Sequence, residues 1–121
     1  MNSLWVGIGG AVGSIARYQI GLFAMRRWPT FPWGTLAINL LGSLLLSFVL
    51  QLALRDRVGP TMTLALTTGV LGGFTTYSSF NHETLALMQS GAWARAAVYL
   101  AGTVLGCLVT GLIGWHLARA V

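Results

Sequence analysis

The stretch GVLGGFTTYSSF, Gly69–Phe80, is the most informative part of this sequence and lies inside an uncharged run from Val58 to His82. Two glycines at 72 and 73, followed by two threonines, predict a helix that breaks at Gly72-Gly73. Unwound backbone in an apolar environment leaves carbonyls that protein, water or an ion must satisfy. Broken helices are recurring ion sites in membrane proteins, so we expect the break to be a functional feature.

Two other runs, Trp28–Leu54 and Ala96–Ala118, are also uncharged and long enough to span a membrane. Only 7% of the 121 residues are charged and 55% are hydrophobic, whereas a soluble domain has ~25% charged residues. A helix of ~20 apolar residues spans a bilayer. The composition therefore excludes a soluble enzyme and a disordered tail, and the single Cys107 excludes an internal disulfide.

We predict one all-α domain, residues 1–121, with four transmembrane helices at about 4–25, 34–54, 61–89 and 94–117. The first span lacks a basic start and contains an arginine, so we expect it to be retained and not cleaved as a signal peptide. Three GxxxG pairs predict close helix packing. They are Gly9 with Gly13, Gly69 with Gly73, and Gly102 with Gly106.

The arginines of the predicted loops are balanced between the two sides of the membrane. One side has Arg26, Arg27 and Arg95, and the other has Arg55, Arg57 and Arg119. Positive loops normally stay in the cytoplasm, so three against three predicts either dual topology, with copies paired as an antiparallel homodimer, or a weak bias. The arginines form no patch, and no lysine is present, so we expect no nucleic-acid partner.

Polar residues recur every four positions along the second predicted span, so they fall on one helical stripe. The stripe comprises Thr35, Asn39, Ser43, Ser47 and Gln51, and the fourth span has a similar one at Tyr99, Thr103, Cys107 and Thr110. Interhelical hydrogen bonding and a hydrated ion path both explain such stripes. The side chains are neutral and most are hydrogen-bond donors, which favours an anion over a cation.

Two ionisable residues lie within the predicted spans. Arg17 either snorkels to the interface or attracts anions in a vestibule, and Glu83 is placed near the end of the third span, close to water. His82, His116 and Cys107 do not have metal-ligand spacing. After the predicted break, Tyr77 and Phe80 share a helix face. They either pack together or present positive ring edges to an anion.

These residues resemble the Fluc family of fluoride channels, also called CrcB. The resemblance rests on Gly9–Tyr18, Pro32–Gly42 and Gly69–Phe80, with Glu83 after them, and covers nearly the whole chain. It implies an antiparallel dual-topology homodimer with two pores. It also implies a structural sodium ion at the dimer centre, bound by the main-chain carbonyls of Gly72 and Thr75 from both subunits.

The resemblance also implies roles for individual side chains. Asn39 is the pore asparagine, and Tyr77 and Phe80 form the pair of aromatic positions called the Phe box. Thr35, Ser78, Ser79, Tyr99 and Thr103 fall on or near the polar track, and Arg17 and Glu83 map to the vestibule. The chain departs from the family pattern at Tyr77, where phenylalanine is usual, at Ser79, where threonine is common, and at Cys107, where serine is frequent.

The function that follows from the resemblance is passive fluoride export across the bacterial inner membrane, with no enzymatic step. Hydrogen fluoride enters from acid surroundings and ionises, and the trapped fluoride leaves through the channel. The alternative is a small multidrug-type proton-coupled transporter, which also uses four short spans. That class needs a glutamate in its first span, where this chain has Arg17 and no acid.

Overall fold

The computed structural model describes residues 1–121, and all of its regular structure is helical, as the sequence predicts. The long helices are α1 (Asn2–Arg27), α2 (Trp33–Leu54) and α6 (Trp93–Ala120). The third predicted span comprises α3 (Pro60–Leu64), a π-helical segment (Ala65–Leu71), α4 (Gly72–Phe74) and α5 (Tyr77–Gln89).

The helix break lies at Thr75-Thr76, and the prediction of a break at Gly72-Gly73 is wrong. Gly72 keeps helical dihedral angles of φ −63° and ψ −39°. The backbone becomes extended at Thr75, with ψ 155°, and at Thr76, with φ −150° and ψ 122°. Gly73 precedes the break at a place where α1 approaches closely, whereas Gly72 is exposed. The wider π-helical turn directly before these glycines is a feature that often marks functional sites.

Contact between α1 and the third span is made backbone to backbone. A Cβ atom added at Gly9 would lie 2.6 Å from the Ala65 carbonyl oxygen. One added at Gly13 would overlap the Val70 carbonyl, and one at Gly73 would overlap the Gly10 carbonyl. Two of the three predicted GxxxG pairs therefore form a single seam in which only glycine fits.

The third predicted pair, Gly102 and Gly106, makes no close backbone contact. No atom lies within 4 Å of a Cβ built at Gly102, and the Cβ of Gly106 would meet only the side chain of Leu40. The close approach of α6 to α2 occurs at Gly114 instead, where a Cβ would overlap the Leu44 carbonyl. A GxxxG motif alone therefore does not show whether its face of the helix packs against another helix.

Arginines tie the two ends of the bundle. At one end Arg95 donates to the Thr30 carbonyl over 3.4 Å, and at the other Arg55 donates to the Ala118 carbonyl over 2.7 Å and Arg57 to that of Val121 over 3.3 Å. The Arg55 bond satisfies a carbonyl at the end of α6 that has no helical partner. The connections 28–32 and 90–92 thus lie at one end of the bundle, and the connection 55–59 lies beside the C-terminus at the other.

The outside of the bundle is apolar. Only 20 of 121 residues are buried, and large hydrophobic side chains such as Leu105 and Leu108 are more than 60% exposed. Exposed apolar surface on this scale indicates contact with lipid or protein. Two helices, α2 and α6, are long and apolar enough to cross a membrane.

Because of the glycine seam, we expect glycine-to-alanine changes at different positions of α1 to have very different effects on stability. Gly13→Ala should destabilise the protein by about 1–3 kcal/mol, because the added methyl group overlaps backbone that cannot move aside. Gly7→Ala should be neutral or slightly stabilising, because no atom lies within 4 Å of its Cβ position. Thermal unfolding of the two variants in detergent tests this, and equal melting temperatures would contradict the seam.

Candidate ion pathway at the helix break

Asn39 of α2 holds the break through two hydrogen bonds to one residue. Its Nδ2 donates to the Thr76 carbonyl over 3.0 Å, and its Oδ1 accepts from the Thr76 backbone N–H over 2.9 Å. Both residues are buried. These two hydrogen bonds replace the helical backbone bonds that Thr76 does not make at the break. Irregular backbone is tolerated in an apolar environment only when its polar groups are satisfied in this way.

Thr76 also begins the next helix. Its hydroxyl oxygen accepts from the Ser79 backbone N–H over 3.2 Å, which makes Thr76 the N-cap of α5. The hydroxyls of Ser78 and Ser79 lie 3.4 and 3.2 Å from the Thr76 hydroxyl. Three neutral hydroxyl groups therefore cluster at the start of α5.

The diverted N–H of Thr76 leaves a backbone carbonyl free. In a continuous helix that N–H would donate to the carbonyl of Gly72, four residues earlier, but here it donates to Asn39. Gly72 is exposed on the bundle surface, and Thr75, with its extended backbone, lies beside it in the break. The break thus offers neutral main-chain oxygens, the kind of ligand that suits a hard cation.

Glu83 is held by two hydroxyl groups. Thr35 donates to its Oε1 over 2.8 Å and Tyr99 to its Oε2 over 2.6 Å. The bonds join α2, α5 and α6, and Thr35 and Tyr99 are both buried. The carboxylate is half-buried in this arrangement, so it lies less open to water than its place in the sequence suggests.

A row of aromatic rings runs from the break toward the loop before α2. Tyr77 and Phe80 have ring centroids 5.7 Å apart, and Phe80 and Tyr99 are 5.2 Å apart, both in edge-to-face geometry. Phe31 continues the row, 5.5 Å from Tyr99. Phe80 is 5% exposed and Tyr77 is 77% exposed, so the row begins on the surface and enters the bundle.

Two cavities meet at Thr35 and Glu83. One, of about 280 Å³, is lined by Arg17, Thr76 and Ser79 among others. The second, of about 370 Å³, lies under the loop Trp28–Trp33. Arg17 therefore shares a cavity with Thr76 and Ser79 of the hydroxyl cluster at the break, and the carboxyl group of Glu83 lines the same cavity.

Four more polar residues of the two stripes line a groove of about 720 Å³ between α2 and α6. Ser43, Ser47, Gln51 and Cys107 line it, and Gln51 accepts a 2.6 Å hydrogen bond from the indole N–H of Trp115. On the same helix as Cys107, Thr103 has a buried hydroxyl with no hydrogen-bond partner. The two stripes seen in the sequence thus face one another along part of their length.

Sequence reasoning missed the central role of Thr76. The paired threonines were considered only as neighbours of the glycines, although threonine is a preferred residue at a helix N-cap. The Trp115–Gln51 bond was also missed, because spacing along a chain does not reveal which side chains two helices bring together.

Comparison with known proteins places the chain in a family. Residues 4–115 match the family described as CrcB-like protein, Camphor Resistance (CrcB). The chain belongs to the CrcB-like family. The match includes all three segments that carried the resemblance, together with Asn39, Thr76 and Glu83.

Curated relatives of this CrcB-like chain are similar over almost their whole length. A protein of Anaeromyxobacter sp. (strain K) is 50% identical over 118 residues, covering 96% of this chain and 94% of the relative. One of Sorangium cellulosum (strain So ce56) is 44% identical over 117 residues, covering 95% and 92%. Both are named fluoride-specific ion channel FluC.

The reciprocal bonds of Asn39 predict a stability cost for a nearly isosteric change. Asn39→Asp keeps the acceptor for the Thr76 N–H but replaces the donor to the Thr76 carbonyl with a second oxygen. An unpaired buried polar group costs about 1–3 kcal/mol, so the melting temperature in detergent should fall clearly. Asn2→Asp is the matched control, because Asn2 is exposed at the start of α1 and its one side-chain hydrogen bond, from Thr61, is to an oxygen that aspartate keeps. A loss no greater than the control's would remove Asn39 from the support of the break.

Proposed function

We propose that the chain is a passive, fluoride-selective channel that lets cytoplasmic fluoride leave down its electrochemical gradient. The observation that carries the proposal is the hydrogen-bonded break at Asn39 and Thr76, in a chain whose full-length relatives are named fluoride-specific ion channels. The proposed pathway offers neutral hydrogen-bond donors at the break. Such a site conducts by replacing an ion's water and performs no covalent chemistry.

The donors nearest the break are suited to a small anion. One N–H of the Asn39 amide is taken by Thr76, and the second is left to donate. The hydroxyls of Ser78 and Ser79 lie beside it. Edges of the Tyr77 and Phe80 rings carry partial positive charge, and Arg17 attracts anions into the cavity that leads there. Fluoride therefore passes from Arg17 to Asn39 and the ring edges.

Thr35 and Tyr99 serve this path indirectly. Both donate to Glu83, so their hydroxyls hold the carboxylate in place while they are bound to it. Thr103 is the better donor on α6, because its buried hydroxyl has no other partner. The proposed track therefore runs from Asn39 along the α2–α6 groove, which Cys107 lines, with Thr103 four residues before Cys107 on the same helix.

The partner that we propose is a second copy of the chain, in the opposite orientation. The exposed face of the third span is polar around the break, which is costly against lipid. It comprises Thr68, Gly72, Tyr77, Ser78 and Asn81. An inverted copy covers such a face, and the balanced arginines at the two ends of the bundle are compatible with insertion in either direction.

A sodium ion at the centre of this dimer fits the donors at the break. The carbonyls of Gly72 and Thr75 are neutral oxygens, and two copies supply four of them, a set that suits a hard cation. The freed carbonyl of Gly72 supports this assignment. The ion would neutralise no charge on the protein and would hold the two breaks together.

The setting that we propose is the bacterial inner membrane, crossed by all four spans. Hydrogen fluoride enters cells in acid surroundings, ionises, and leaves as fluoride through the channel, driven by its gradient and the negative-inside potential. A small multidrug-type transporter is less well supported, because its essential glutamate belongs to the first helix and the acid here is Glu83 on α5.

Efflux from liposomes tests the function. Purified protein is reconstituted into vesicles loaded with fluoride and chloride, and release is followed with one electrode for each ion. We expect rapid fluoride release with negligible chloride release. A well-folded protein that releases neither ion, or both equally, would refute the proposal, and empty vesicles give the leak rate.

Tyr77 gives a prediction about the ring and its hydroxyl. Tyr77→Phe should keep the fluoride efflux rate within about threefold of wild type, under 1 kcal/mol in the barrier, because the ring edge facing Phe80 is unchanged. Tyr77→Ala should lower the rate strongly, because the ring is removed. A folded but inactive Tyr77→Phe variant would mean that the hydroxyl, and not the ring, contacts the ion.

A further inference from the structure

The cavity of about 370 Å³ under the loop Trp28–Trp33 has an unusual lining. Its walls are apolar and aromatic, with Trp28, Phe31 and Trp33 contributing rings, and Met25 lies beside them. Glu83 is the only charged residue that lines it. A volume of this size falls in the range of small-molecule pockets, which typically combine apolar walls with a few polar groups.

Glu83 has no positive partner within the chain. Its two oxygens are hydrogen-bonded to the neutral hydroxyls of Thr35 and Tyr99. The chain has seven arginines, yet none forms an ion pair with Glu83 within 4.0 Å. Arg17 faces it only across the neighbouring cavity. A half-buried charge is costly unless it is paired.

The chemistry of the lining selects one class of cation. A metal ion would need several oxygen ligands at short distance, and most of the wall is apolar. An ammonium group with alkyl substituents fits better. A carboxylate attracts its positive charge, and the faces of aromatic rings attract it through cation–π contacts.

We propose that the cavity between Glu83 and the Trp28–Trp33 loop binds an alkylammonium group. The group belongs either to a free organic cation or to the headgroup of a lipid, since tryptophans at a bundle end are typical of the membrane interface. The inference rests on the cavity and its unpaired carboxylate and does not depend on fluoride conduction.

The first test compares a cation with its neutral analogue. Protein in a non-ionic maltoside detergent, free of lipid, is titrated with choline and with 3,3-dimethylbutan-1-ol, in which carbon replaces the charged nitrogen, and binding is measured by calorimetry. We expect saturable choline binding with one site per chain and no binding of the alcohol. Equal responses to the two compounds, or none to choline, would overturn the proposal.

Variants locate the site. Glu83→Gln should weaken choline binding at least about tenfold, ~1.4 kcal/mol, whereas Asp56→Asn removes the only other acid of the chain, far from the cavity lining, and should leave it unchanged. Trp33→Leu tests the wall with the carboxylate intact, and Trp93→Leu, which does not line the cavity, is its control. Unchanged choline affinity in both Glu83→Gln and Trp33→Leu, with folding shown by gel filtration, would refute the assignment.

A further titration in lipid distinguishes a free organic cation from a lipid headgroup as the source of the alkylammonium group. The same choline titration is repeated in nanodiscs of phosphatidylethanolamine and in nanodiscs of phosphatidylglycerol, which has no ammonium group. Loss of choline binding only in phosphatidylethanolamine supports a lipid headgroup as the occupant. Equal binding in both lipids supports a free cation. Fluoride efflux of wild-type protein is measured separately, so failure of the channel proposal and failure of this one are distinct results.

Discussion

The paired hydrogen bonds between the Asn39 amide and the Thr76 backbone are the interaction on which the rest of the site depends. They let the third span stop and restart inside an apolar bundle without leaving the Thr76 N–H and carbonyl unpaired. The free carbonyl of Gly72, the hydroxyl cluster at the start of α5 and the placement of Tyr77 beside Phe80 all follow from that interruption. A single amide side chain thus organises backbone, capping and aromatic geometry together.

The glycine seam between α1 and the third span is the second constraint, and it involves the part of the third span that precedes the break in sequence. Gly9, Gly13 and Gly73 bring α1 against the π-helical segment and α4 so closely that backbone touches backbone. The widened turn of Ala65–Leu71 lies directly against this seam. Close packing of this kind supplies the stability that an apolar chain in lipid does not obtain from the hydrophobic effect between helices.

The sequence predicts the helices of the fold better than it predicts the contacts of the site. Uncharged runs bounded by arginine and proline predict the helices to within a few residues, because composition and length are local properties. The position of the break was wrong, since glycine pairs can serve either packing or unwinding and only the facing helix decides between them. The stripe of α2 was visible as a pattern, but its members separate in space: Thr35 contacts Glu83, Asn39 the break, and Gln51 the indole of Trp115. Those pairings depend on helix contacts that are remote in sequence.

The interruption at Thr75-Thr76 also changes the neighbour of the third span. The segment before it packs mainly on α1, whereas α5 after it packs on α6, which in turn packs on α2. The change takes place over two residues with extended backbone. The residues that shape the proposed pore are thus also those through which the third span connects α1 to α6.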